Sequence, residues 1–166
     1  DSDFVRRGRE LLAIARRHGA TFIVNDRVAA AVEIGADGVH IGQQDMPLSV
    51  ARRLTGSSAI IGVSVVSVAE AVSACADGAD YVAVNGVFPT ATKSLDEANL
   101  PGLDAVRAIS AAVSVPVVAI GGINAGNAAS VMAAGASGVA VVTAITMRPD
   151  VEQAVGELFE STRRSI

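Results

Sequence analysis

Two aspartates carry the clearest chemical signal in this chain. Asp26 ends the run TFIVND, and Asp45 ends VHIGQQD. Each stands where an apolar run gives way to a polar loop. They lie 45 − 26 = 19 positions apart, the length of one strand-plus-helix unit. If the two strands are neighbours, both carboxylates reach one mouth. Two close carboxylates repel unless a cation sits between them. Mg²⁺ suits such a pair, because it takes one or two carboxylates and completes its shell with water and substrate phosphate oxygens. The competing reading makes each Asp a cap for the helix that follows. Asn25, Gln43 and Gln44 beside the acids favour a site.

Other polar residues collect at similar places. In VFPTATKS, Pro89 fixes the approach, and Thr90 and Thr92 flank Lys93, the only lysine in the chain. Two hydroxyls and an ammonium suit a phosphate, against the plainer reading of a solvated loop charge. Arg27 is the second candidate anion-binding cation near the mouth. The IGGIN segment offers backbone N–H groups at a helix start, and Val142-Thr143 leads into AIT, a candidate short extra helix. That pairing matches the phosphate site that barrel enzymes build from their last two loops; the competing reading is a tight glycine turn. Ser64 ends a further strand. His40, inside GVHIG, reads as a satisfied interior histidine, and His18 ends the first helix, where a partial positive charge suits the dipole. There is no His or Cys cluster for a transition metal and no nucleophile elbow.

The elements that must position these residues follow from a repeat. EIGADGVHIG, ADGADYVAVN and AAGASGVAVV each run from a helix end through Gly-Ala and a small or acidic residue into an apolar strand. Gly stops the helix, and the run after it reads as a strand buried on both faces. Strands are expected at 21–25, 38–42, 59–64, 80–84, 117–121 and 138–142. Helices are expected at 3–18, 27–34, 48–54, 68–76, 103–112, 125–134 and 151–163. Strands alternating with helices give a parallel sheet. The 166 residues hold six such units, whereas a complete (β/α)8 barrel takes eight and ~250 residues. The fold class is therefore α/β: one domain over 1–166, a partial parallel (β/α)8 TIM barrel short of its first two strands. An open doubly wound sheet competes, but no Gly-rich dinucleotide fingerprint follows the first strand.

Composition narrows the function classes. A net charge of −4 with no basic run argues against nucleic acid. No apolar run approaches the ~20 residues of a membrane span, and no signal peptide is visible. The chain begins DSDFVRR without a methionine, which leaves room for sequence upstream. Cys75, the only cysteine, fits a core position and a reducing, cytoplasmic setting.

FIVNDRVAAAVEIGADGVHIGQQDMP, IIGVS, DYVAVNGVFPTATK, VVAIGGI and GVAVVTAI together resemble the thiamine-phosphate synthase family through nearly the whole chain. The family is a (β/α)8 barrel joining a hydroxymethylpyrimidine diphosphate to a thiazole phosphate, releasing pyrophosphate. The resemblance implies that Asp26 and Asp45 bind Mg²⁺, Asn25 contacts the pyrimidine diphosphate and Ser64 hydrogen-bonds the pyrimidine substrate. It further implies that Thr90, Ala91 and Thr92 line the thiazole phosphate site and that Lys93 contacts the pyrophosphate, with Lys93 and Ser64 the catalytic pair. Gly122, Val142 and Thr143 would hold the thiazole phosphate through backbone N–H groups. The partners are these small molecules, with a homo-oligomer compatible.

Three departures stand out. Nothing before Phe22 resembles the family's Gln-x-Arg-x-Lys segment. The strand end before FPT reads VNG where the family often has Gly-Pro, and GVSVVS lacks the histidine common two places after the serine. The rivals are a thiazole tautomerase, whose members tend to lack the paired acids and the PT-TK loop, and a non-catalytic phosphate-binding barrel fragment.

Overall fold

In the computed structural model, which describes residues 2–90 and 100–163, the three Gly-Ala segments are three copies of one joint. Gly35, Gly78 and Gly135 have φ of 74°, 93° and 101° and stop helices α2 (Val28–Ile34), α4 (Val68–Ala76) and α6 (Ala128–Ala133). Two residues after each glycine stand Asp37, Asp80 and Ser137. Their backbone N–H groups donate to the carbonyls of Phe22 (3.0 Å), Ile61 (2.8 Å) and Val117 (2.7 Å), at the start of the neighbouring strand. Their side-chain oxygens accept the N–H of the same three residues, at 2.8, 2.7 and 3.3 Å. A short acceptor side chain at this position thus clamps the incoming strand in register with the one before it.

The strands so registered are β1 (Ile23–Asn25), β2 (Gly38–Ile41), β3 (Ile60–Val65), β4 (Tyr81–Asn85), β5 (Val117–Ile120) and β6 (Gly138–Ala140). They pair in chain order, all parallel, as one curved six-stranded half-barrel. The remaining helices are α1 (Ser2–Arg17), α3 (Leu48–Thr55), α5 (Gly102–Ala112), α7 (Thr143–Thr146) and α8 (Val151–Arg163). Six strands each followed by a helix, one helix in front and a short extra turn at α7 match the expected order. Among the described residues β1 and β6 each pair on one side, so a closed eight-stranded barrel is not what they form.

Alternation along the strands separates two faces. Val39, Ile61, Val63, Val82, Val84, Val117 and Ala119 point outward and are buried against Val28, Ala51, Ala71, Val106, Ile109 and Val131 of the helices. Each such Val or Ile contributes roughly 1.5–3 kcal/mol by leaving water. The inner face differs from expectation: His40, Ser64, Tyr81, Asn85, Val118 and Ile120 are only half-buried, because they line a cleft.

Most element boundaries shift by a residue or two from expectation, and two shifts bear on the site. Helix α6 starts at Ala128 rather than 125, because Asn124 Oδ1 accepts the Gly126 N–H and Asn127 Oδ1 accepts the Asn124 N–H, both at 2.8 Å. These bonds hold 124–127 in a turn. Strand β6 ends at Ala140, ahead of Val142. Among the described residues no helix is long and apolar enough to cross a membrane. Cys75 is half-buried against the core, and burial pushes its thiol pKa up.

Candidate active site

The C-terminal ends of all six strands open into one cleft of about 1120 Å³. Asp26 and Asp45 both line it, as do Asn25, Gln43, Gln44, Ser64, Thr90, Gly122, Val142 and Thr143. Ala91, Thr92 and Lys93 fall outside the described residues. Arg27 is not among the lining residues; its guanidinium lies over the Phe4 ring, 4.6 Å from the centroid.

Neither aspartate occupies a helix N-cap position. The N-cap positions of α2 and α3 are Arg27 and Pro47, without side-chain cap bonds. Asp26 has φ 61°, a left-handed conformation that a non-glycine residue rarely holds, and its N–H donates to the His40 carbonyl at 2.8 Å. Asp45 Oδ2 accepts the Gly42 N–H at 2.7 Å, while the Asp45 N–H donates back to the Gly42 carbonyl at 3.2 Å. The Asp26 backbone is thus anchored to β2, and the Asp45 carboxylate to the loop that follows it. Among the described residues no group of three His, Cys, Asp or Glu side chains could hold a metal. Asp26 and Asp45, with their amide neighbours, are the residues that could hold Mg²⁺, an ion that needs few protein ligands when phosphate completes its shell.

Deeper in the cleft, His40 Nδ1 is 2.9 Å from Tyr81 Oη, and His40 Nε2 is 2.9 Å from Ser64 Oγ. The two rings stack at 5.5 Å. His40 is the satisfied interior histidine its setting in GVHIG suggests. Burial lowers its pKa, against an upward pull from Asp45, and burial raises that of Tyr81. Gln43 Nε2 donates to the Ser64 carbonyl at 2.8 Å, tying the β2 loop to the end of β3.

Gly121 and Gly122 have φ of 112° and 62°. A Cβ on Gly122 would sit 2.3 Å from the Pro89 carbonyl oxygen, and one on Gly121 2.8 Å from Gly86 Cα. The Phe88 N–H donates to the Gly121 carbonyl at 3.0 Å. The glycine pair therefore lets the loop carrying Thr90 lie directly on the loop carrying Gly122, which brings the two expected phosphate corners together. The packing and binding readings of these glycines are compatible.

Tyr81, Asn85 and Glu70 also line the cleft, though spacing did not single them out. Period-two alternation from Ala83 could have found Tyr81 and Asn85. Glu70 gave no such signal. It is the third residue of α4, whose Ser67 cap accepts its N–H at 3.3 Å, and Glu70 Oε2 accepts the Val66 N–H at 2.8 Å.

A parallel β/α half-barrel with its polar side chains gathered at the strand C-termini has the active-site layout of the barrel enzymes. A family model described as thiamine monophosphate synthase matches residues 1–145. The chain is 51% identical over 149 residues to thiamine-phosphate synthase of Chloroflexus aurantiacus, covering 90% of this chain and 68% of that protein. It is 48% identical over 163 residues to that of Moorella thermoacetica, covering 98% and 77%. A solved structure of thiamine phosphate pyrophosphorylase from Pyrococcus furiosus superposes with a TM-score of 0.91 at 39% identity, over 99% of this chain and 78% of that one. The chain belongs to the thiamine monophosphate synthase family. Its activity is that of a transferase of thiamine biosynthesis, forming thiamine phosphate.

Proposed function

We propose that this cleft joins a hydroxymethylpyrimidine diphosphate to a thiazole phosphate with Mg²⁺ bound at Asp26 and Asp45. The observation that carries the reading is the arrival of both carboxylates, from adjacent strand ends, in the cleft that also holds Ser64, Thr90, Gly122 and Thr143. In this reading Asn25 contacts the diphosphate and Ser64 the pyrimidine substrate. Thr90, Ala91 and Thr92 face the thiazole phosphate, with Gly122, Val142 and Thr143 supplying backbone N–H groups. Lys93 meets the leaving pyrophosphate.

The bond between the pyrimidine's benzylic-type carbon and the diphosphate oxygen breaks with its electron pair going to the leaving group. The electron-rich pyrimidine stabilises the positive charge left behind, and the thiazole supplies the pair for the new bond. Bound Mg²⁺ would neutralise the departing diphosphate as a Lewis acid. The chain's own residues hold both substrates in line and offer charge and N–H groups where negative charge develops. No strong base is required.

The proposal extends to a full (β/α)8 barrel, with two further strands between β6 and β1. Among the described residues β1 and β6 each pair on one side only. The helices beside them expose apolar side chains, Leu11 and Ile14 on α1 and Val155 and Phe159 on α8. A cytoplasmic setting belongs to the same reading.

The deciding assay measures pyrophosphate release with each substrate alone and with both, with and without Mg²⁺. Release that needs both substrates and Mg²⁺ is expected. Thiazole isomerisation without coupling would establish the tautomerase, and binding without turnover the inactive fragment.

A further inference from the structure

Tyr81, His40 and Ser64 belong to three adjacent strands, yet their polar atoms form one line. Tyr81 on β4 hydrogen-bonds His40 on β2, reaching across the intervening strand β3. It does so over Gly62, which is in register with both. A Cβ on Gly62 would lie 2.0 Å from Tyr81 Cζ and 2.4 Å from Tyr81 Oη. The missing side chain is thus the gap through which the phenol reaches the imidazole. From the other side of the ring, His40 Nε2 meets Ser64 Oγ, two residues along β3 from that gap.

The geometry points to a polarised hydrogen-bond line, Tyr81 to His40 to Ser64, that fixes Ser64 as a proton donor toward substrate and makes Tyr81 and His40 positioning residues. A neutral imidazole has one donor and one acceptor nitrogen, and hydroxyls flank both of them here. Two directions are open. If Nδ1 carried the proton, the Tyr81 oxygen would accept, and the phenol, the more acidic of the two hydroxyls, would not be the one donating to the imidazole. A phenol oxygen is also the poorer acceptor of the two hydroxyls, since its lone pair is shared with the ring. If Nε2 carries the proton, Tyr81 donates to Nδ1 and Nε2–H donates to Ser64. The one uncommitted proton is then on Ser64 Oγ, in the cleft. The substrate atom facing Ser64 is therefore an acceptor, a diphosphate oxygen or a pyrimidine ring nitrogen. This inference rests on the proposed contact between Ser64 and the pyrimidine diphosphate.

Two measurements test it on the whole protein. The chain has two histidines, so ¹⁵N-labelled imidazole signals are readily assigned with a His18→Gln control. Nε2–H with a bare Nδ1 is expected for His40; an Nδ1–H tautomer overturns the proposal whatever the enzyme's activity. In kinetics, Tyr81→Phe is expected to lower kcat/KM for the pyrimidine diphosphate roughly tenfold, the scale of one hydrogen bond, with KM for the thiazole phosphate unchanged. In a Ser64→Ala background the same substitution is expected to have no further effect. An equal loss in both backgrounds, or an equal loss for both substrates, shows a merely structural Tyr81 and overturns the line. If Ser64→Ala alone leaves the kinetics intact, the proposed contact of Ser64 with substrate fails. The tautomer measurement then still decides the direction of the line.

Discussion

Asp26 sits at φ 61°, where most L-residues are strained by about 1–2 kcal/mol and Asn or Asp by less. That conformation decides which substitution tests the metal. Asp26→Ala would remove the carboxylate and add backbone strain together, confounding the two. Asp26→Asn keeps the side chain best suited to this backbone and removes only the charge. We expect Asp26→Asn and Asp45→Asn each to lower Mg²⁺-dependent thiamine phosphate formation by at least ~100-fold, the scale of losing one electrostatic group at the reacting centre. Melting temperature should stay within a few degrees of the parent. Near-normal turnover in both variants would remove the two aspartates from the metal site. At this scale the sequence was informative about Asp26 and Asp45, because an acid at a strand end is visible in one dimension. It was silent on whether they cap helices, since that depends on where each helix begins.

The joint of Gly-Ala and an acceptor side chain is the recurring element, and Asp80 shows its chemistry most fully. Arg52 of α3 donates to Asp80 Oδ2 at 2.6 Å and to the Gly78 carbonyl at 2.9 Å, and also to the Ala59 carbonyl. Burial pushes the Asp80 pKa up, but the bonds from Arg52 and the Ile61 N–H, with the Arg52 charge, hold it below the ordinary 3.8. A folded pKa below the unfolded one stabilises the protein above the unfolded value, and that contribution is lost as pH falls through the folded value. Urea midpoints followed downward from about pH 5 should therefore fall more steeply below about pH 4 in the parent than in Asp80→Asn. Identical slopes would remove Asp80 from the acid limb. Glycine matters differently in the loops. Gly122→Ala combines a positive φ with a Cβ 2.3 Å from the Pro89 oxygen. We expect it to cost about 2 kcal/mol or more in urea denaturation, as strain plus overpacking, and to weaken thiazole phosphate binding by moving the Thr90 loop. Unchanged stability would show that the two loops do not need this close approach.

Across the molecule, all six strands contribute lining residues to the cleft, so ligand binding there should stabilise the fold as a unit. At a pyrophosphate concentration 100-fold above its dissociation constant, with Mg²⁺ present, linkage gives about 2.7 kcal/mol. For a domain of this size that raises the melting temperature by roughly 5–11 °C. The shift should vanish in Asp26→Asn. An undiminished shift there would place the anion site away from the acids. What the sequence determined is the β/α unit: the apolar alternation, the helix-stopping glycines and the acceptor residue two places on are local signals, read within a dozen positions. They specify six parallel strands and put Asp26, Asp45, Ser64 and Thr90 at strand ends. What only the tertiary structure decided is how side chains from different strands meet. Tyr81 finds His40, 41 positions away, through the gap at Gly62, and the Gly122 loop finds Pro89 because Gly121 has no Cβ to hold Gly86 off. Those contacts depend on strand register and on absent side chains. No periodicity reports them, because register is a property of strands paired in space.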